Sequence, residues 1–70
     1  MMPLTMAGVG EENVIKRIGG KEKTRKFLEN LGFVTGGTVT VISQTGGNMI
    51  VNVKDSRVAI GKDMAVKIMV

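Results

Sequence analysis

Cysteine and histidine are both absent from this 70-residue chain, and so are tryptophan and tyrosine. Without cysteine there is no disulfide, no thiolate zinc site and no thiol nucleophile. Without histidine the commonest general base and metal ligand is missing. An enzyme built from this chain would have to rely on six carboxylates and a few hydroxyls. The only aromatics are two phenylalanines, few for the platforms on which single-strand nucleic-acid binders stack bases. No stretch approaches the roughly 20 apolar residues that span a bilayer. Met1-Met2-Pro3-Leu4-Thr5-Met6 has neither the basic n-region nor the apolar run of a secretion signal. A cytoplasmic protein is therefore expected.

What is present fits one domain, residues 1–70, near the lower limit of independent stability. The formal net charge is +4 and the isoelectric point about 9.9, a balance that favours acidic partners. Six of the ten basic residues fall in one interval: Lys16, Arg17, Lys21, Lys23, Arg25 and Lys26, against the single acid Glu22.

Residues 21–31 read as the one helix. Phe27, Leu28 and Leu31 can share a face, with Arg25, Lys26, Glu29 and Asn30 turned to water. Lys21 and Lys23 carry the wrong sign for a helix N-terminus. Thr24 offers an alternative cap for a helix beginning at Arg25, and both starts stay open. Gly32 sits where a left-handed residue ends the helix, which brings Phe33 against Leu28. Both phenylalanines are thereby assigned to the helix and its exit.

The rest reads as strand. Asn13–Ile18 is β-prone, but Ile15 and Ile18 are three apart, so a bulge or bend must turn both inward. Thr38–Gln44 is rich in β-branched residues. Thr45-Gly46-Gly47-Asn48 reads as a hairpin turn, with Gly-Gly supplying positive φ. Met49, Val51 and Val53 face inward on the returning strand. Lys54-Asp55-Ser56 turns again into Arg57–Ile60, with Val58 and Ile60 inward. Gly61–Met64 makes a single-turn connection to Ala65–Val70, where Val66, Ile68 and Val70 share a face. The expected fold is mainly β: a small SH3-like, five-stranded, partly open barrel with one short helix after the first strand.

The stretch Arg25-x-x-Leu28-x-x-Leu31-Gly32-Phe33-x-x-Gly36 resembles the signature of the ferrous iron transport protein A (FeoA) family. Gly36-Gly37-Thr38-Val39-Thr40-Val41, Val58-Ala59-Ile60, Ala65, Ile68-x-Val70, Ile15-x-x-Ile18 and Leu4 extend the likeness over nearly the whole chain, in order. Thr35 stands where the family commonly has proline, and Gly37 adds a flexible position. The resemblance implies a small cytoplasmic SH3-like domain that regulates ferrous iron uptake. It would work with FeoB, a permease with a cytoplasmic GTPase domain, and would be an adaptor rather than an enzyme. It would touch the membrane only through the transporter.

On that reading the partner-binding candidates are Lys23, Arg25, Lys26, Phe33, Val34 and Thr35. Charge runs are usually solvated faces; a docking surface for an acidic partner is the functional alternative. No metal site or cofactor is expected in the chain, because its carboxylates are scattered and its methionines read as core filler. A weak homo-oligomer through a barrel edge is compatible with the pattern. The alternative from another class is a small-barrel nucleic-acid-binding protein, favoured by charge and fold and disfavoured by the scarcity of aromatics.

Overall fold

The β-branched run expected to be a strand forms β3, Thr38–Thr45, the longest strand of the computed structural model, which describes all 70 residues. It pairs antiparallel with β4, Asn48–Val53, which pairs with β5, Ser56–Gly61. On its other edge β3 takes β1, Glu12–Val14, so the larger sheet has the order β1-β3-β4-β5. A second sheet joins β2, Arg17–Ile18, to β6, Ile68–Met69. Helix α1 spans Glu22–Leu31, and a one-turn helix, α2, spans Lys62–Ala65 between β5 and β6. A short 3-10 turn occupies Leu4–Met6.

The mainly β, partly open architecture is as expected, with six strands in place of five. The segment Asn13–Ile18 does not run as one strand. It leaves the larger sheet at Ile15, whose N–H donates to the Gly37 carbonyl and whose carbonyl accepts from Gly36 N–H, both at 2.8 Å. It then enters the smaller sheet, where Lys16 N–H donates to Met69 O at 2.8 Å. The bend predicted between Ile15 and Ile18 is this corner. Ile15 is fully buried and Ile18 half-buried. Helix α1 consequently follows the second strand, not the first.

Alternation fills the core. Val39 and Val41 of β3, Met49, Val51 and Val53 of β4, and Ile60 of β5 are buried, and Val58 is half-buried. They pack with Leu4, Ile15, Leu28, Phe33, Ile68 and Val70, and no polar or charged residue is buried. β3 carries a bulge between Val41 and Ser43, which leaves Ile42 partly exposed.

One inward assignment fails. Val66 is 45% exposed, because residues 66–67 turn out of α2 and period-two alternation begins only at Ile68. The Gly46-Gly47 hairpin forms as expected, although only Gly46 takes a positive φ, 50°. The next hairpin is tighter still. Lys54 and Asp55 both have positive φ, 49° and 59°, the conformation of a two-residue type I′ turn.

The chain ends close the smaller sheet. Met2 and Val70 exchange N–H···O bonds at 2.8 Å in both directions, and Pro3 bridges to Met69. Val9 bridges to Val41, and Gln44 Nε2 lies 3.5 Å from the carbonyls of Thr5 and Ala7. The N-terminal segment is thus laid along β3 and β6.

Candidate functional site

Helix α1 is the element on which most candidate residues sit, and its spacing sorts them into three stripes. Thr24, Leu28 and Leu31 stand at i, i+4 and i+7, and they are the buried or half-buried positions of the helix. Glu22, Arg25, Lys26 and Glu29, at i, i+3, i+4 and i+7, form a second stripe that is wholly exposed. Lys23, Phe27 and Asn30 form the third, also exposed.

The charged stripe is self-neutralising. It holds two acids and two bases, and Lys26 Nζ lies 3.3 Å from Glu22 Oε1. With both side chains about 70% exposed, such a pair is worth a few tenths of a kcal/mol. Lys23 has no acid on its own stripe. Lys23 and Lys26, at i and i+3, adjoin on the exposed surface of α1, with Arg25 about 100° farther round.

The helix begins at Glu22 with Lys21 as N-cap and no side-chain cap bond, so Thr24 lies inside the first turn. It ends as the glycine required. Gly32, at φ 110°, donates its N–H to Glu29 O at 2.9 Å, and Phe33 donates to Leu28 O at 3.0 Å. This is the Schellman pair of bonds.

That ending corrects one candidate. Phe33 is fully buried, so its side chain offers a partner nothing; it belongs to the core that the Schellman turn closes. The other phenylalanine is the exposed one. Phe27, expected on the core face with Leu28 and Leu31, is 49% exposed. At one turn before Leu31 but next to Leu28, it falls at the margin of the buried stripe. The i, i+4, i+7 spacing of Thr24, Leu28 and Leu31 is the signal in the sequence that could have shown this.

Val34 is half-buried and Thr35 exposed at the tip of the turn that follows. That turn is well held despite lacking a proline. Gly37 N–H donates to Val34 O at 3.0 Å, and Gly36 and Gly37 both bond Ile15. A side chain at Gly37 would be crowded, since a Cβ there would come within 3.2 Å of the Val34 carbonyl oxygen. Thr35 is thus presented on a rigid loop.

The cationic interval gains a member from the far end of the chain. Gly19 N–H donates to Lys67 O at 2.7 Å. A side chain at Gly20 would meet Thr24 Cγ2 at 3.5 Å and Lys67 Cδ at 3.6 Å. The Lys67 stem therefore lies over the turn that starts α1. Lys16, Arg17, Lys21, Lys23 and Lys67 are all exposed, and the bonds from Lys16 N–H to Met69 O and from Gly19 N–H to Lys67 O bring their chain segments to this end of the domain. No three carboxylates come close enough to hold a metal ion, and no helix is long and apolar enough to cross a membrane.

A bent two-sheet β domain with one helix closed by a Schellman turn defines a small SH3-like module. The family model for the FeoA domain matches residues 2–70, and the chain belongs to that family. An Fe(2+) transport protein A of Methanocaldococcus jannaschii is 37% identical over all 70 residues, which span 85% of that relative. The crystal structure of an iron uptake regulatory protein, FeoA, superposes with a TM-score of 0.89 at 33% identity, over 97% of this chain and 92% of that one. A manganese-dependent transcriptional repressor shares the fold, with a TM-score of 0.85 at 17% identity, over 94% of this chain and 38% of the repressor. Membership places the chain in ferrous iron uptake, among small accessory transport proteins.

Proposed function

We propose that this chain is a cytoplasmic, non-enzymatic regulator of ferrous iron uptake that binds the GTPase-containing cytoplasmic part of a FeoB-type transporter. The observation that carries the reading is the whole-chain FeoA match on a domain whose exposed helix surface holds the cations Lys23 and Lys26 with an exposed aromatic, Phe27. Acidic surface on the transporter would be drawn to Lys23 and Lys26, with Arg25 contributing longer-range attraction. Such charges act chiefly on the rate of encounter. Thr35 and Val34, on their rigid turn, would supply contacts that do not depend on salt.

The test is association of the purified chain with the transporter's soluble cytoplasmic domain, followed by stopped flow across a salt series. Lys23→Glu with Lys26→Glu should slow association at low salt and leave dissociation little changed. An association rate equal to wild type at low salt would remove the cationic docking surface from the proposal. Absence of any complex would remove the partner itself.

A further inference from the structure

We propose that the cationic end of the domain, together with Phe27, binds an anionic phospholipid surface directly. Five exposed cations meet there from four separate places in the fold. Lys16 and Arg17 come from the start of β2, Lys21 from the helix cap, Lys23 from its first turn, and Lys67 from the link between α2 and β6. No acid belongs to the set. Glu22, the one carboxylate in the interval, is 3.3 Å from Lys26.

Two exposed apolar side chains accompany them. Phe27 lies one helical turn beyond Lys23, and Val66 precedes Lys67 in the chain. Basic residues attracted to a negatively charged leaflet, with an apolar group able to enter the headgroup boundary, are the two parts of a peripheral membrane contact.

The composition of this face suits a lipid surface. Four of the five cations are lysines. Lysine is a mobile point charge on a flexible stem, which suits diffuse attraction to a charged leaflet. Lysine stems can also lie along apolar surface while their ammonium groups stay in water.

The proposal does not depend on the transporter, because vesicles contain no protein. The test is flotation of the full chain with vesicles of phosphatidylcholine, with and without phosphatidylglycerol, at low and high salt. Expected is about tenfold or greater preference for the anionic vesicles at low salt, lost as salt rises. Lys23→Glu with Lys67→Glu should abolish the preference, and Phe27→Ser should weaken it several-fold while the domain stays folded. Lys54→Glu with Arg57→Glu, which removes the same charge elsewhere, should retain most of it. Equal binding to neutral and anionic vesicles would overturn the proposal. Equal loss from the two double variants would too, since net charge and not this face would then be responsible. Retention of an oligonucleotide at the same salt, with no vesicle binding, would assign the face to nucleic acid instead.

Discussion

Phe33 donates its backbone N–H to the Leu28 carbonyl at 3.0 Å, and both side chains are wholly buried. One peptide connection thus sets the helix stop and a large share of the core. It depends on Gly32 at φ 110°, a conformation that side-chain-bearing residues rarely adopt. The space around Gly32 is not the constraint, because a Cβ would meet the Lys54 stem at an ordinary 3.5 Å. Gly32→Ala should therefore destabilise through backbone strain alone, by about 1–2 kcal/mol. Urea unfolding would measure it, and a loss near zero would show that the turn can relax into another closure.

The two phenylalanines should behave as opposites. Phe33→Ala removes a buried ring and should cost about 3–5 kcal/mol, enough to unfold much of so small a domain. Phe27→Ser loses a half-exposed ring and should cost under about 1 kcal/mol. Paired thermal melts would decide the matter. If Phe27→Ser proved as damaging as Phe33→Ala, Phe27 would be a core residue and its use as an exposed contact would fall.

The β half of the fold was legible because alternation and β-branching coincide: Val39, Val41, Met49, Val51 and Val53 are all buried. The Schellman ending was legible because it is local and rests on one glycine. What could not be read depends on distant pairing. Nothing local to Asn13–Ile18 says that it divides between two sheets, since its partners are Val39 and Met69. Lys67 joins the cationic end only because β6 lies beside β2. Phe27 was misplaced for a different reason. Adjacent apolar residues on a helix are about 100° apart, so Phe27 and Leu28 cannot both be central to one buried stripe.

The β4–β5 hairpin stores strain that can be released. Asp55 sits at φ 59° without being glycine, at the position of a type I′ turn that glycine most often fills. Asp55→Gly should stabilise the domain by about 0.5–1 kcal/mol, the relief of left-handed backbone less the extra entropy of an unfolded glycine. For a domain of this size that corresponds to a rise in Tm of roughly 2–8 °C. A fall in Tm would mean that the Asp55 carboxylate contributes more to the turn than its backbone costs.

Charge reversal on α1 should act on binding without disturbing the fold. Lys26→Glu breaks only the exposed pair with Glu22, at a cost of about 0.5–1 kcal/mol once repulsion is counted. Lys23→Glu sets no like charge on its own stripe and places an acid in the first turn, where the helix dipole favours one. It should be neutral or slightly stabilising. Melts at low and high salt would check both, and a large loss for Lys23→Glu would reveal a structural role for its side chain.

The pairing of Met2 with Val70 predicts where the domain should not fray. Chain ends commonly exchange their amide protons fast. Here the Met2 and Val70 amides are each committed to a 2.8 Å bond with the other's carbonyl. Val70 is also buried in the core beside Ile68 and Leu4. Both amides should therefore be protected from hydrogen exchange to a degree approaching that of β3 and β4. Val70→Ala keeps the backbone bonds but removes buried methyl groups, at about 1–2 kcal/mol. It should lower protection at Met2 and Val70 together, and more than it lowers protection in β4. Rapid exchange at both sites in the wild-type chain would show instead that the terminal pair opens locally while β2 and β6 stay paired.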